Sequence, residues 1–578
     1  MSGRKDLNRI RSVTAVTVTA VLILAACTGS QQDRGTGASG ADGPTLNGAG
    51  TPDPDATPIR RVTEPVGDWL ESSCALPIEL LRRQRAGINQ RRSPDLTVVP
   101  REPNYFGAFS AFTHSGPWDY LQEVPVALYG PGFIKSQGDL NPARRTTVAD
   151  LAPTLSNLLE VDFPKDRPAR ALTGALVPQP RRPGKPKVIV QIVWDGGGWN
   201  VLNQWPNAWP TLRRIMEKGT SVTGVEVGSS PSVTPAVHAT IGTGTFPNRH
   251  AVVDIRMREG TGITGAWAGK TPDNLEETTV ADIYDQQVGN AAKIGMFSYK
   301  SWHWGLLGHG AYLAGGDRDI AVVSDLAGHL TTNEQWFKAP NYVNDVPKFE
   351  KYIEQVDIDD GQADGLWMEH DVLSEPPDLR DSPVWVLYQT DIMKTIMTRE
   401  GFGADDITDL FFINYKQLDD IGHDYNMLEP ETREIVSYAD TELAKTIRWL
   451  NAKIGRRNWV VMVTADHGQG PDPLRYGTWP IHRGPLYEDI AETFGVEPEE
   501  LFQDERPGAF WVDQDVMDEA GLTLEKLANF FIDYRLEDNV SEGEEIPQPY
   551  KDRLREPIFA AAFPTSEVGR VWRCATKP

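Results

Sequence analysis

Three short stretches, "KVIVQIVWDGGG" (187–198), "DLFFINYKQLDDIGH" (409–423) and "NWVVMVTADHG" (458–468), each run through apolar, largely β-branched residues and then stop on Asp or His. Such runs suit strands of a parallel sheet covered on both faces. In open sheets of that kind, ligands bind beyond the carboxyl ends of the strands. Between the last two strands Ile435, Ala439, Leu443, Ile447, Leu450 and Ile454 follow helical spacing, so a helix carries the chain from one strand to the next. The expected fold class is α/β.

The strand ends supply Asp195, then Asp419 and His423, then Asp466 and His467. A lone Asp after a strand is ordinarily a helix cap or a turn residue. A mixed set of carboxylates and imidazoles suits Zn²⁺ or a similar borderline ion better than the all-oxygen shells of Ca²⁺ or Mg²⁺. Five ligands exceed what one tetrahedral ion with an open position takes, so two divalent metal ions are expected, with Zn²⁺ favoured. "SSPSVTPAVHATIGTGTFPNRHAVV" (229–253) places Thr234 before Pro235, a residue that suits a first helical turn. A hydroxyl there, close to a metal, suits a nucleophile and a developing phosphoryl charge; the same residue also serves as a plain cap.

The first residues belong to no fold. Arg4, Lys5, Arg9 and Arg11 precede an apolar run from Val13 to Leu24 that ends in Leu24-Ala25-Ala26-Cys27, the pattern of a secretory signal peptide. The segment resembles a bacterial lipobox, which implies lipidation of Cys27, a signal peptide over 1–27 and a mature protein on the extracytoplasmic side of the cell membrane. No later stretch approaches the about 20 apolar residues that span a bilayer. Residues 28–60 are rich in Gly, Ser, Ala, Pro, Asp and Thr and read as a flexible tether. With Cys27 assigned to lipid, Cys74 and Cys574 remain, and in an oxidising compartment one pair most simply forms a disulfide. A formal net charge of −24 argues against nucleic acid or anionic lipid as a partner. It leaves room for a small phosphorylated substrate at a cationic metal site.

"VWDGGG", "PSVTPAVHATIGTGTFPNRHAVV", "LDDIGH" and "TADHGQG", in that order, resemble the alkaline phosphatase superfamily and, within it, the type I phosphodiesterase and nucleotide pyrophosphatase branch. The resemblance implies a three-layer sandwich with a mainly parallel central sheet and an inserted cap. It also implies Asp195, Thr234, Asp466 and His467 around one metal, Asp419 and His423 on the other, and Thr234 as nucleophile. The second metal then lacks a histidine, which in the family follows the Asp-His-Gly motif. Here the matching text comes early, at His114 in "FTHSGPWDYLQEVPVALYGPG" (112–132), and continues into "RRTTVADLAPTLSNLLEV" (144–161).

The sequence therefore reads as a circular permutation within a catalytic region over 61–578. Residues 90–180 would be the moved C-terminal part, 186–254 and 403–485 the metal and nucleophile core, 255–402 the cap, and 486–578 the remaining elements. A Cys74–Cys574 bond would close the cut. The alternative is a separate small domain over 62–180, with His482 of "TWPIHRGP" completing the metal site.

Two departures from the family pattern bear on substrate. Ile255 stands where members commonly have an Asn for a phosphoryl oxygen, leaving Arg256 or Arg258 as substitutes. "SYKSWHWGLLGHG" (298–310) keeps Lys300 but has Trp302 in place of a phosphate-gripping Arg. The expectation is a phosphodiesterase or nucleotide pyrophosphatase with Lys300 and Trp302 at the substrate, Trp302 or Trp304 stacking on an ester substituent. A phosphomonoesterase of the same fold and a noncatalytic metal-containing lipoprotein that binds a phosphorylated ligand are the alternatives. A sulfatase would need an oxidised Cys or Ser that Thr234-Pro-Ala-Val does not supply, and export does not suit a glycolytic mutase.

Overall fold

The computed structural model describes residues 64–578 except Ser115, 375–377, 542, 544 and 578. The leader, Cys27 and the tether lie outside the described residues. Among those described, no helix is long and apolar enough to cross a membrane.

In chain order the strands used below are β1 (Leu96–Pro100), β2 (Val126–Tyr129), β3 (Gly138–Leu140), β4 (Val188–Trp194), β5 (Thr220–Val222), β6 (Ile294–Ser298), β7 (Ile320–Ser324), β8 (Leu330–Thr331), β9 (Asp409–Tyr415), β10 (Trp459–Ala465), β11 (Phe502–Arg506), β12 (Ala509–Val512) and β13 (Phe559–Pro564). The helices are α1 (Trp69–Ala75), α2 (Leu151–Leu159), α3 (Thr234–Thr243), α4 (Val280–Gln287), α5 (Val384–Arg399), α6 (Gln417–Asp424), α7 (Pro430–Leu450) and α8 (Val568–Ala575).

Nine strands form the central sheet in the order β8-β7-β6-β9-β4-β10-β2-β5-β3. From β7 through β6, β9 and β4 to β10 every pair is parallel; β2 then pairs antiparallel with both β10 and β5. The middle strands β4, β9 and β10 are buried along their whole length. Alternate residues of β4 enter opposite cores. Val188, Val190, Ile192 and Trp194 pack with side chains of α5 and α7, while Ile189 and Val193 pack with those of α2, α3 and α4. The result is the three-layer α/β arrangement that the apolar runs predict.

The span 255–402, expected as an inserted cap, is in part core. Its strands β6, β7 and β8 extend the central sheet beyond β9. The apolar stretch Ile294–Ser298, buried throughout, pairs in parallel with β9 and so could not lie in an outlying lobe.

A four-stranded antiparallel sheet has the order β11-β12-β1-β13. Strand β1 thus lies between two strands drawn from the far end of the chain, and β2 lies between β10 and β5 of the main sheet. Residues 62–180 do not form a separate module. Cys74 of α1 and Cys574 of α8 are joined by a disulfide, with Cα atoms 5.7 Å apart and 500 positions between them in sequence. Nearby, Ser73 Oγ donates to the Ala562 carbonyl of β13 at 3.3 Å.

Away from the carboxyl ends of the strands, carboxylate oxygens of Asp285, Asp317 and Asp319 lie within 4.8 Å of one another. Burial, then repulsion from Asp317, pushes the Asp285 carboxyl up to about 7.

Two outcomes follow from this packing. Cys74→Ser or Cys574→Ser should lower the unfolding free energy by about 2–5 kcal/mol, since the bond closes most of the chain into one loop; thermal unfolding checks it. Asp285 binds a proton in the folded chain that the unfolded chain, with an ordinary value of about 3.9, has lost, so its stabilising contribution disappears as pH rises through about 7. Asp285→Asn should therefore raise the midpoint relative to wild type increasingly from about pH 4 to about pH 7 and then level off, as calorimetry across that range would show.

Candidate metal centre and nucleophile

The strand register converges the site. Strands β4 and β9 run in register from Asp409↔Val188 to Tyr415↔Trp194, and β4 and β10 from Trp459↔Val188 to Ala465↔Trp194. Asp195, Lys416 and Asp466 are the next residues of the three strands, so they emerge side by side. One turn into α6 stands Asp419, and His423 is four residues further on the same face. The turn after Asp195 requires glycine: Gly196 has φ +69°, and a Cβ there would lie 2.2 Å from Gln469 Nε2 and 3.1 Å from Asp419 Cα. Its amide donates to Asp466 Oδ1 at 3.0 Å.

Thr234 is the first residue of α3, with Pro235 behind it. Its Oγ1 donates to Asp195 Oδ1 at 3.4 Å. Asp195, Asp419, Asp466 and His467 are fully buried, and Thr234 is nearly so.

Two of the potential metal-binding groups match the residues read from sequence: His114 with Asp419 and His423, and Asp195 with Asp466 and His467. His114 Nε2 is 3.3 Å from Asp419 Oδ1, and His423 Nε2 is 3.3 Å from Asp419 Oδ2. The rings of His114 and His467 stack with centroids 3.6 Å apart, which brings the two groups into one cluster. His482 is elsewhere, packed among Phe109 and Trp479, so it does not complete the metal site.

The histidines are oriented as ligands. Nδ1 of His114 donates to the Ser232 carbonyl at 3.0 Å, that of His467 to the Gly468 carbonyl at 3.0 Å, and that of His423 to the Phe112 carbonyl. Each bond assigns the proton to Nδ1 and turns the Nε2 lone pair toward the carboxylates, the orientation metal-ligating histidines take. Burial, then the facing His467, holds His114 well below its ordinary value; His467 is lowered by burial as well. Neutral imidazoles are the metal-binding form.

The carboxylates are under opposing pressures. Burial, then repulsion from Asp195, raises Asp466 well above the usual carboxylate range. Burial would do the same to Asp195, but the Lys416 ammonium and the neighbouring His303 and His467 pull it below that range. Asp466 Oδ2 and His467 Nε2 are buried without a hydrogen-bond partner. Orphaned donor atoms of this type are what a divalent ion satisfies, so the residues fit the metals that the sequence implies.

Several members of the site escaped the sequence reading. Lys416 Nζ is hydrogen-bonded to Asp419 Oδ2 and lies 3.3 Å from Asp195 Oδ1 and 3.4 Å from Thr234 Oγ1. His303 Nε2 is 3.2 Å from Asp195 Oδ2. Asn414 donates to Asp195 Oδ2 and pairs with His238 Nε2, both at 2.9 Å. Gln469 donates to Asp419 Oδ1 at 2.9 Å. A charged residue directly after an apolar strand was the available signal for Lys416; the position of His238, four residues after Thr234 on α3, was another.

Of the expected substrate residues, Lys300 Nζ lies 3.9 Å from Asp420 Oδ1 and 4.9 Å from the Trp302 ring centre. Trp304 is fully buried and donates to Ser298 Oγ at 3.0 Å, so it is core rather than a stacking surface. Arg256 and Arg258 do not replace the absent Asn, because they are paired with Asp504 at 2.6 Å and Asp95 at 2.5 Å.

Comparison with known proteins places the chain in a family. The model of the family described as type I phosphodiesterase / nucleotide pyrophosphatase matches residues 189–482, just over half of the chain. Alkaline phosphatase PafA of Elizabethkingia meningoseptica is 22% identical over 439 residues, which cover 64% of this chain and 78% of that protein. Alkaline phosphatase PhoV of Synechococcus elongatus is 22% identical over 339 residues, covering 50% and 60% respectively. The crystal structure of wild-type PafA aligns at 18% identity with a TM-score of 0.47, covering 65% of this chain and 84% of that one. The chain belongs to the type I phosphodiesterase / nucleotide pyrophosphatase family of the alkaline phosphatase superfamily, a family of phosphoric ester hydrolases.

Proposed function

We propose that this chain is an exported phosphohydrolase that uses Thr234 as nucleophile and two divalent ions, Zn²⁺ in preference, to cleave a phosphodiester or nucleotide pyrophosphate. The observation that carries the proposal is the position of Thr234 Oγ1, at a helix N-terminus, 3.4 Å from Asp195 and beside two ligand groups that share one buried cluster. Asp419, His423 and His114 would hold one ion, and Asp195, Asp466 and His467 with Thr234 the other. Bound there, the ions would lower the pKa of the attacking hydroxyl and neutralise charge on the phosphoryl oxygens.

Thr234 Oγ1 attacks phosphorus, and the bond to the leaving oxygen breaks as the Oγ–P bond forms. The leaving alcohol takes a proton from solvent, replacing the one Thr234 gives up. Water then cleaves the phosphothreonine and restores the hydroxyl. The N-terminus of α3 faces the charge that develops at Thr234.

A second reading, a phosphomonoesterase, is favoured by the alkaline phosphatases among the relatives. Relative turnover of p-nitrophenyl phosphate and bis-p-nitrophenyl phosphate separates the two. The lipid anchor at Cys27, extracytoplasmic placement and the permuted chain order belong to the same proposal. The seating of β1 between β12 and β13, and of β2 beside β10, supports the last of these.

Thr234→Ala should keep bound metal and lose ester turnover by at least a hundredfold, read by elemental analysis beside a chromogenic assay; retained turnover would reject Thr234 as nucleophile. His114→Ala should lose about one metal equivalent and most activity, while His482→Ala keeps both. The reverse pattern would move the missing ligand to His482.

A further inference from the structure

The active-site pocket contains a cation of its own. Lys416 is buried at the end of β9, with Nζ in reach of one carboxylate from each ligand group and of the nucleophile. Among the described residues it is the cationic side chain within hydrogen-bond distance of Thr234 Oγ1. Lys300 is directed at Asp420, and Arg256 and Arg258 are held by other carboxylates. An ammonium has three N–H donors and no acceptor. Two of them face Asp419 and Asp195, which fix the group in place, and the third faces Thr234 Oγ1.

We propose that Lys416 is a catalytic residue that binds a non-bridging phosphoryl oxygen during attack by Thr234. This rests on the phosphohydrolase reading above. As the Thr234 oxygen commits its electrons to phosphorus, it becomes a poorer acceptor, and the phosphoryl oxygens arrive one bond beyond it. The N–H that faced the hydroxyl then donates to an anionic phosphoryl oxygen, a stronger bond than the one it leaves. The two carboxylates hold the ammonium in position before substrate arrives, so little reorganisation is required at the moment of reaction.

The charge balance points the same way. Asp195, Asp419 and Asp466 bring three negative charges, which two divalent ions would outweigh by one. Lys416 raises that excess to two, which matches the charge that a phosphodiester monoanion and the deprotonated Thr234 oxygen bring together, a role that no other cation among the described residues fills at Thr234.

The test uses full-length zinc-loaded protein as wild type, Lys416→Met and Lys416→Arg, with zinc stoichiometry, inorganic phosphate affinity by calorimetry, and kcat measured on each. The methionine variant should keep both zinc equivalents, bind phosphate at least tenfold more weakly and lose about a hundredfold in kcat, the size expected for one oxyanion donor. Arginine should recover part of the phosphate affinity. Lys416→Gln reads the same way if the methionine variant does not fold. Unchanged phosphate affinity and kcat with zinc retained would overturn the proposal; loss of zinc would overturn it too, making Lys416 a scaffold for the carboxylates. Wild type that binds zinc and phosphate but hydrolyses no ester would instead count against the phosphohydrolase reading, and the phosphate affinities would still decide whether Lys416 holds the anion.

Discussion

The burial of three carboxylates in one dry pocket is the constraint on which the rest of this site depends. Asp195, Asp419 and Asp466 have essentially no contact with solvent, and an uncompensated carboxylate in such surroundings costs several kcal/mol. One ammonium, from Lys416, offsets part of that cost. The remainder calls for cations from outside, and the inward-turned imidazoles of His114, His423 and His467 would meet them with nitrogen donors. Two features usually explained separately, the glycine-lined turn after β4 and the in-register parallel strands, are both requirements of bringing these charges together.

What holds the cluster in shape is mostly backbone. Carbonyls of Phe112, Ser232 and Gly468 accept from the three histidine rings, so His423 and His114 are each fixed by a segment remote from their own and His467 by the residue next to it. Ser232 also donates to the His114 carbonyl at 3.1 Å, tying the loop that carries His114 to the residues just before Thr234. A change in that loop is therefore felt at Thr234 without any direct contact. The same economy is visible in Asn414, which braces Asp195 and His238 with one amide group.

Much of this was legible in the sequence because strand ends are punctuated. An apolar run that stops on Asp or His announces both the sheet and the edge where its side chains collect, and Asp195, Asp419, His423, Asp466 and His467 are found together on that account. His114 was legible only through resemblance, since nothing local marks a histidine in an irregular loop as a partner of Asp419. The core strands inside 255–402 were missed because Ile294–Ser298 is only five residues long, contains Gly295 and ends on Ser rather than on Asp or His. Lys416 was marked by its place directly after an apolar strand; His303 and Asn414 were missed for a different reason. Their importance lies in which side chains face them across strands, and sequence spacing along one strand carries no information about that.

Order along the chain and order in the sheets are independent in this protein, and the energetics explain why that is tolerable. A strand is held by the ladders on its two sides and by the cores it enters, and β2 obtains these from β10 and β5, as β1 does from β12 and β13. None of those interactions depends on which strand is covalently next. What chain order changes is the entropy of the unfolded state, because α1 and α8 must find each other across nearly the whole chain. Loop-closure entropy grows only logarithmically with length, so the penalty is modest. The Cys74–Cys574 bond removes that search from the unfolded ensemble. The disulfide joins α1 to α8 where the two ends of the described chain meet, and neither cysteine belongs to the cluster of candidate ligands.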